Sequence, residues 1–380
     1  MDREIGGCRI SDWLVYGSSG RGVGNIFLLQ KSKLESFIMG IGGERNMDWA
    51  KYEEKNLNII DAFAKAESVL PIYKNVCVAV SGGSDSDIVV DMIERLKDPY
   101  NEVRYVWYNA GIEYQATKDH LKYLEKRYGI TIEEKKAKKT IPMCVRDHGV
   151  PFLSKFVSDM MNRLQKHGFK WEDEPFDELI KKYPKCRSAL KWWCNENGER
   201  LSISRNKWLK EFIVANPPDF LISGACCYYA KKLPAKKFIE ENGVELNIIG
   251  VRQSEGGIRS VTYKNCYTKG VSSVDQFRPI FWLTDSDKKY YERQFLIRHS
   301  DCYTRYGLCR TGCVGCPYGR NVQQELDAAK KYEPKLYKLC IIIFGKSYEY
   351  TERYKKFCAE QNYKLKECEN QLSFEDYNRR

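Results

Sequence analysis

The stretch that most constrains the fold is a β-branched run, Val76 to Val80, followed at once by the sequence Ser-Gly-Gly-Ser-Asp-Ser. The run is typical of a buried strand. Apolar residues then recur at helical spacing from Ile88 to Leu96, and Pro99 lies just beyond them. The pattern therefore predicts a strand, a glycine turn and a helix with no linker between them.

The same order recurs along the chain. A second strand is predicted at 103–108, with a turn at Asn109-Ala110-Gly111 and a helix at about 114–127. Further strands are expected at 130–133, 220–223, 246–251 and 277–283. Strands that alternate with helices predict the α/β class, with a parallel twisted sheet covered by helices on both faces. Such sheets bind ligands beyond the carboxyl ends of their strands.

Shifts in composition predict the domain organisation. Residues 1–46 are rich in glycine and poorly periodic, so we expect a disordered extension, with natural translation starting at Met47. An α/β domain is expected over 47–285, with a mainly helical insertion at about 150–218. Residues 286–380 are expected to form a helical, cysteine-containing C-terminal region.

Charge and cysteine content indicate which partners to expect. The chain of 380 residues has 63 basic and 51 acidic side chains, a net charge of +12 that favours an anionic partner such as a nucleotide or nucleic acid. It has neither an apolar run long enough to span a bilayer nor a secretory signal, so we expect a cytoplasmic protein without a membrane partner. Fifteen cysteines in a reducing compartment favour metal or thiol chemistry.

The glycine turn has the features of a phosphate-binding loop. Glycine permits close approach of the backbone to an anion, and the following helix N-terminus favours negative charge. The serines add hydroxyl donors, and Asp85 is suited to cap the helix or to place a metal ion. The predicted phosphate-binding residues are Ser81, Gly82, Gly83, Ser84, Asp85 and Ser86.

This loop resembles the SGGxDS signature of the PP-loop ATP pyrophosphatase superfamily, and other motifs resemble its phosphoadenosine phosphosulfate reductase-like branch. The sequence Trp-Tyr-Asn-Ala-Gly, 107–111, is similar to a nucleotide-contacting D-T/N-x-G turn, with Asn109 where Asp is common. Residues 250–259 resemble a G-x-R-x-x-E-S-x-x-R element, which provides Arg252 and Arg259 for binding phosphate or sulfate. Asn109, Gly111 and both arginines are therefore expected to bind nucleotide.

The resemblance implies ATP or an adenylyl sulfate-type nucleotide as ligand, with Mg²⁺. The sequence departs from the family at one important position. Many relatives carry lysine at the fourth loop position, where this chain has Ser84. Phosphate charge must then be neutralised by Arg252, by Arg259, by a lysine elsewhere or by magnesium.

The cysteines leave two ligand sets open. Cys313 and Cys316 are spaced C-x-x-C and followed by Pro317, a spacing that can hold a metal ion or an iron–sulfur cluster. A local set would add Cys302 and Cys309. The alternative, which we prefer, adds Cys226-Cys227 instead, because Cys-Cys followed by Lys-Lys-Leu-Pro resembles the motif that holds a four-iron four-sulfur cluster in assimilatory adenylylsulfate reductases. Zinc would accept the same ligands.

The resemblance also indicates a reaction. PP-loop enzymes cleave ATP between its α and β phosphates and adenylate a substrate, whereas sulfonucleotide reductases attack an adenylyl sulfate with a C-terminal cysteine in an E-C-G-L-H-type motif. The nearest match here, at Cys368, lacks Gly-Leu-His. We therefore favour iron–sulfur-assisted sulfur transfer, as in relatives that thiolate DNA or tRNA, with Asp85 and Cys368 as catalytic candidates and a sulfur donor or thiol reductant protein as partner.

Two alternatives remain. The first alternative is a sulfonucleotide reductase that uses an unrecognised thiol. The second is a non-catalytic module that senses nucleotide or redox state. The basic insertion contains Trp171, Trp192, Trp193 and Trp208. These residues either stack on a nucleic acid or, as we favour, pack inward from amphipathic helices. The four histidines are too few and scattered for a histidine-based site, and a solvated or capping role is expected for His299.

Overall fold

A computed structural model describes residues 56–198, 201–256, 262–270 and 274–377, with the side chains of 366–377 excepted. Six strands in these ranges form one sheet: β1 (Asn75–Ala79), β2 (Glu102–Asn109), β3 (Ile132–Lys136), β4 (Leu246–Ile249), β5 (Tyr267–Thr268) and β6 (Asp275–Phe277). Their order is β3-β2-β1-β4-β6-β5. β1 pairs in parallel with β2 and β4, and β4 with β6, whereas β5 runs antiparallel to β6. The predicted α/β class with a parallel sheet is confirmed.

The sheet strands are connected and followed by helices, including the predicted helical C-terminal region. The helices are α1 (Leu57–Val69), α2 (Ser84–Leu96), α3 (Gln115–Tyr128), α4 (Ile141–His148), α5 (Lys155–Lys166), α6 (Phe176–Lys182), α7 (Arg187–Trp193), α8 (Leu209–Ala215), α9 (Ala225–Cys227), α10 (Leu233–Glu241), α11 (Asp285–Gln294), α12 (Asp301–Thr304), α13 (Val322–Tyr332) and α14 (Pro334–Tyr377). Among the described helices, none combines the length and the apolar character needed to cross a bilayer.

Two predicted strands differ from the structure. The segment 220–223 forms only an isolated parallel bridge, between Val150 and Ile222, and is not one of the six sheet strands of the described residues. The strand predicted at 277–283 lies earlier, as β6, and the chain then turns towards α11. The first described helix, α1, begins at Leu57 with Asn56 as its N-cap, and residues 1–55 lie outside the described part of the chain.

The buried character of β1 explains why the sheet is built around it. Val76, Cys77 and Val78 are each at most 1% exposed, so both faces of the strand are covered. Apolar side chains of α1 and α2 belong to the same core cluster as β1. This burial stabilises a central parallel strand, whose residues need not alternate between apolar and polar types.

The chain divides into two compact units. Among the described residues, the first comprises those up to Trp107 together with those in Asp119–Glu134 and Phe238–Ser300, and the second comprises those in Tyr108–Lys118, in Lys135–Lys237 and from Asp301 onward. The domain boundaries predicted from the sequence stay a prediction. The expected extension 1–46 lies outside the described residues.

The tryptophans of the predicted insertion are core residues of the second unit. Trp192 and Trp193 are fully buried, and Trp171 is 7% exposed. They pack in one aromatic cluster, with Trp171 and Trp193 ring centroids 5.7 Å apart. The stacking interpretation is therefore wrong for these three residues, and the amphipathic packing is correct. Trp208 is partly buried and donates from Nε1 to Asn362 at 3.2 Å.

A glycine at the end of α4 is required by the close approach of another segment. Gly149 has φ of +102°, and a Cβ there would lie 2.3 Å from the carbonyl oxygen of Leu221. We predict that Gly149→Ala lowers the free energy of unfolding by about 3 kcal/mol, measured by urea denaturation, since backbone strain adds to a clash with main chain.

Gly168→Ala provides the matched control for this prediction. Gly168 also has positive φ, of +71°, but nothing lies within 4 Å of a Cβ there. That variant should lose only about 1 kcal/mol, the usual cost of the left-handed conformation. Equal losses for the two variants would show that the contact with Leu221 does not constrain the fold.

Candidate functional site

The glycine loop of the first unit connects the end of β1 to the first turn of α2. Gly82 has φ of +67°, a conformation that glycine adopts without strain. Gly83 is the N-cap of α2 in an extended conformation, and it provides no side chain to cap the helix. The amino end of α2, with its partial positive charge, therefore lies directly at the loop.

Serine hydroxyls hold the shape of this loop. Ser86 Oγ donates to the carbonyl oxygen of Gly83 at 2.9 Å and accepts from the Ser81 amide at 3.3 Å. Ser81 Oγ accepts from the Gly83 amide at 3.3 Å. Ser81 and Ser86 thus make hydrogen bonds within the loop, a role that the sequence analysis did not predict.

Asp85 is the electrostatic centre of the loop. Arg252 Nε donates to both carboxylate oxygens, at 3.0 and 3.1 Å, and Lys288 Nζ donates to Oδ1 at 2.7 Å. Burial raises the pKa of Asp85, but the charges and hydrogen bonds of Lys288 and Arg252 outweigh burial and hold it below its ordinary value. Asp85 is therefore ionised at neutral pH and anchors two cations, whereas the sequence suggested a helix cap or a metal ligand.

The two cations come from distant segments. Arg252 follows β4 and reaches the loop because Gly250, two residues earlier, packs against the loop. A Cβ on Gly250 would lie 3.0 Å from the Asp85 backbone. Arg252 also donates from Nη1 to Asp285 at 2.7 Å. Lys288 lies in the first turns of α11 and hydrogen-bonds to Ser84 Oγ as well.

Beneath the loop, a buried carboxylate on α2 pairs with histidine. Asp87 Oδ2 lies 2.7 Å from His299 Nδ1 and 3.0 Å from His120 Nε2. His299 Nε2 lies 2.8 Å from Glu292 Oε1. Burial lowers the pKa of His299, but hydrogen bonds with Asp87 and Glu292 outweigh it and raise the pKa to about 9. His299 is thus a mostly enclosed cation, 14% exposed, and the expectation of a solvated or capping role for it is wrong.

In the second unit, the turn Asn109–Gly111 is shaped by a buried acid. Glu113 accepts hydrogen bonds from the backbone amides of Ala110, Gly111 and Ile112, each at 3.0 Å. Asn109 Oδ1 accepts from the Gly111 amide at 2.8 Å. The nucleotide contacts expected of Asn109 and Gly111 stay a prediction.

The C-x-x-C turn of the second unit packs on this segment. The Val314 amide donates to the carbonyl oxygen of Ile112 at 3.0 Å, and the Cys316 amide donates to that of Cys313 at 3.3 Å. Gly315 has φ of +61°, and a Cβ there would lie 2.6 Å from the Tyr348 hydroxyl oxygen. Glycine is therefore required between the two cysteines.

The Cys226-Cys227 segment lies close to the C-x-x-C turn. Gly224 contacts Tyr318, two residues after Cys316, since a Cβ on Gly224 would lie 2.9 Å from the tyrosine hydroxyl oxygen. Cys227 ends α9 and is followed by a π-helical turn, Tyr228–Lys232. Such turns are frequent at functional sites.

The four thiols of the preferred ligand set affect one another's pKa. Cys226 hydrogen-bonds to Cys227, which lowers the pKa of Cys227 and raises that of Cys226. Burial raises the pKa of Cys313, and burial and Cys313 raise that of Cys316 to about 12. Charge from Cys313 raises the pKa of Lys231, and Glu113 adds to the effect.

The chemistry of these donors fits a soft metal or an iron–sulfur cluster. Cysteine binds such groups as thiolate, and Lys155 and Lys231 near Cys227 favour that ionised form. Within the ranges that the structure describes, however, no three histidine, cysteine or acidic side chains are arranged to hold a metal ion. The ligand set therefore stays a prediction.

The alternative local set has different surroundings. Cys302 is fully buried, with Sγ 3.6 Å from Thr117 Oγ1, and Cys309 is exposed. Two further predicted residues cannot be placed. Arg259 lies outside the described residues, as does the side chain of Cys368.

Three residues of these sites were missed by the sequence analysis. Lys288 contacts Asp85 and His299 contacts Asp87, both from beyond residue 284, and no local motif marks either contact. Glu113 lies two residues after the Asn109–Gly111 turn, and an acid just after a glycine turn is a signal for accepting hydrogen bonds from backbone amides.

Residues 75–191 match the protein family described as phosphoadenosine phosphosulfate reductase domain. Residues 75–191 are thus similar to a phosphoadenosine phosphosulfate reductase domain. The family expected from the sequence motifs is thereby confirmed. The match to this domain begins at the first residue of β1 and ends within α7.

Several solved structures resemble this chain, with TM-scores below 0.5. Phosphoadenylyl-sulfate reductase from Candida auris, in a phosphate complex, is 12% identical, with TM-score 0.39 and coverage of 75% of this chain and 96% of that one. The U34-tRNA thiolase NcsA from Methanococcus maripaludis, with its [4Fe-4S] cluster, is 14% identical, with TM-score 0.35 and coverage of 77% and 79%. FMN adenylyltransferase from Candida glabrata, with ATP, is 10% identical, with TM-score 0.34 and coverage of 74% and 68%.

A search of curated proteins found no significant match. The TM-scores of these solved structures are too low for the likeness to bear on chemistry.

The pairing of His299 with Asp87 predicts a pH-dependent stability. The pKa of His299 lies above its ordinary value of 6.5, at about 9, so its contribution is present in full below 6.5 and lost as pH rises through 9. His299→Gln should lower the free energy of unfolding by on the order of 2 kcal/mol near pH 6 and much less near pH 9.5, by urea denaturation.

Exposed His167 provides the control, since His167→Gln should change stability little at either pH. A loss for His299→Gln that is the same at both pH values would mean that His299 is not a cation in the folded protein.

Proposed function

We propose that this protein binds ATP or an adenylyl sulfate-type nucleotide, with Mg²⁺, at Ser81–Ser86 and catalyses adenylation-dependent, iron–sulfur-assisted sulfur transfer. The observation that carries the proposal is the loop itself: a glycine N-cap at α2 with two cations held at Asp85. Helix amides and guanidinium groups are the donors that bind phosphate. The similarity of residues 75–191 to a phosphoadenosine phosphosulfate reductase domain supports this choice of ligand.

In this proposal Asp85 organises the phosphate site. Its lowered pKa keeps it ionised, so it can hold cations that face a phosphate but cannot serve as a general acid at neutral pH. Arg252 is held through Nε by Asp85 and through Nη1 by Ser254 and Asp285, and among the described contacts this leaves Nη2 to donate to phosphate. Asn109, Gly111 and Arg259 are proposed as further nucleotide ligands.

A four-iron four-sulfur cluster is the proposed cofactor of the second unit, with zinc as the substitute. The proposed ligands are Cys226, Cys227, Cys313 and Cys316. When bound, the cluster would supply a site for holding or relaying sulfide. Lys155 and Lys231 would offset the negative charge that four thiolates bring, as they do for Cys227.

The acceptor that we propose is a nucleic acid, DNA or tRNA. The net charge of +12 favours a polyanion, and lysine-rich surfaces bind the phosphate backbone without base contacts. With three tryptophans buried, charge rather than tryptophan stacking would supply most of the affinity. A sulfur donor or thiol reductant protein is the second proposed partner.

The match to a reductase domain favours one alternative activity, reduction of a sulfonucleotide. Cys368 and partly buried Cys358 are its candidate thiols. The two activities differ in product: ATP with RNA or DNA yields pyrophosphate in the first, and adenylyl sulfate with thioredoxin yields sulfite in the second. Nucleotide binding with neither product would indicate a sensing module.

The nucleotide site is tested by removing Arg252. Arg252→Ala should weaken Mg·ATP binding at least tenfold, by isothermal titration calorimetry, because a charge-assisted contact with phosphate is lost. Arg104→Ala is the matched control: Arg104 pairs with Glu133 at 2.6 Å and aligns with Cys77 in the sheet, away from the loop. Absence of saturable ATP binding by the unaltered protein would reject the proposed function.

The cluster is tested by metal content. Cys227→Ser and Cys313→Ser should abolish most iron, sulfide and absorption near 400 nm after anaerobic purification, because each removes a thiolate ligand. Cys309→Ser is the control, and it should retain them. If Cys309→Ser loses iron to the same degree, the local ligand set is correct, and a colourless protein with stoichiometric zinc would reject the sulfur-relay mechanism.

A further inference from the structure

The phosphate loop receives a lysine from outside its own sequence. We propose that Lys288, on α11, is the phosphate-binding lysine of this nucleotide site and acts in place of a lysine at loop position 84. The inference rests on the proposed function, and it names the cation that the loop sequence lacks. Its basis is a direct contact, since Lys288 Nζ hydrogen-bonds to Ser84 Oγ.

The position of Lys288 is fixed by the start of α11. Thr284 caps the helix: its Oγ1 accepts from the Asp287 amide at 3.2 Å, and Asp287 Oδ2 accepts from the Thr284 amide at 2.9 Å. Asp287 also accepts from Asn56 at 2.7 Å and from Asn58 at 2.9 Å, which ties the helix start to α1. These bonds fix the start of α11 against α1, and with it the backbone of the next residue, Lys288.

The Lys288 side chain is directed to the loop and is largely enclosed. It is 15% exposed, and its Nζ lies 2.7 Å from Asp85 Oδ1. An ammonium group has three protons to donate. Hydrogen bonds to Ser84 and Asp85 account for two of them in the described structure, so one is left for a phosphate oxygen.

Charge around the loop favours this role. Arg252 and Lys288 share one buried carboxylate, Asp85, and the second carboxylate on Arg252, Asp285, is 77% exposed and screened by water. Glu292 lies farther from Lys288, at 3.8 Å, and is hydrogen-bonded to His299. The immediate group of two cations and one buried carboxylate therefore has an excess positive charge for an anion.

The size of residue 84 is matched to this arrangement. Ser84 is the first residue of α2 and is 8% exposed, so the space beside it is already filled by the Lys288 ammonium group. A lysine at 84 and a lysine at 288 would place two cations in the same space. The pair of Ser84 and Lys288 therefore replaces a single lysine at residue 84. Moving the lysine from residue 288 to residue 84 should preserve phosphate binding.

An exchange experiment tests the inference. Lys288→Ala should weaken binding of Mg·ATP and of inorganic pyrophosphate at least tenfold, by calorimetry. The double variant Ser84→Lys with Lys288→Ala should restore both affinities to within about threefold of the unaltered protein. Lys289→Ala, which changes the adjacent exposed lysine, should bind as the unaltered protein does.

The outcomes separate this inference from the proposed function. If the unaltered protein binds nucleotide and Lys288→Ala binds equally well, the inference is wrong and the nucleotide site stands. If Lys288→Ala binds weakly, unfolds at lower urea concentration and is restored by Lys288→Arg but not by Ser84→Lys, Lys288 supports the fold through Asp85 and the inference is wrong. If the unaltered protein binds neither probe, the proposed function itself fails.

Discussion

The buried carboxylate of Asp85 is the constraint on which the first unit's loop depends. A carboxylate that is 10% exposed requires cationic partners, since an unpaired buried charge is very costly. The structure meets this need with Arg252, which follows β4, and Lys288, on α11. One acid on α2 therefore joins three segments that are far apart in the chain.

This pairing also explains the glycine at residue 250. Arg252 can reach Asp85 only if the end of β4 lies against the start of α2, and the Cβ position of Gly250 lies 3.0 Å from the Asp85 backbone. Any larger residue would push these segments apart. The cations, the glycine and the carboxylate thus form one mutually dependent arrangement, in which each component has a stated physical role.

The second unit contains a comparable device. Glu113 is 7% exposed and accepts three backbone amides of its own turn, and it also raises the pKa of Lys231 beside Cys313. The acid both shapes the turn and favours the charged form of Lys231. Lys231 in turn lowers the pKa of the Cys313 thiol, against the larger effect of burial, which raises it.

Local patterns in the sequence predicted the sheet, the glycine loop and most helices, because each depends on residues a few positions apart. The β-branched run that begins at Val76 forms a central strand buried on both faces, and the glycine turn after it leads directly into a helix. The same holds for the C-terminal helical region. The similarity of residues 75–191 to the reductase domain family was expected from the same short motifs.

Only the tertiary structure decided which distant groups meet. Lys288 is 203 residues from Asp85, and nothing in its neighbours marks it as a partner of the loop. His299 meets Asp87 in the same way, the segment 220–223 forms only an isolated bridge, and Trp192 and Trp193 proved to be core residues. Charge pairing and burial depend on distances in space, and these are determined when the chain folds and not by spacing along the sequence.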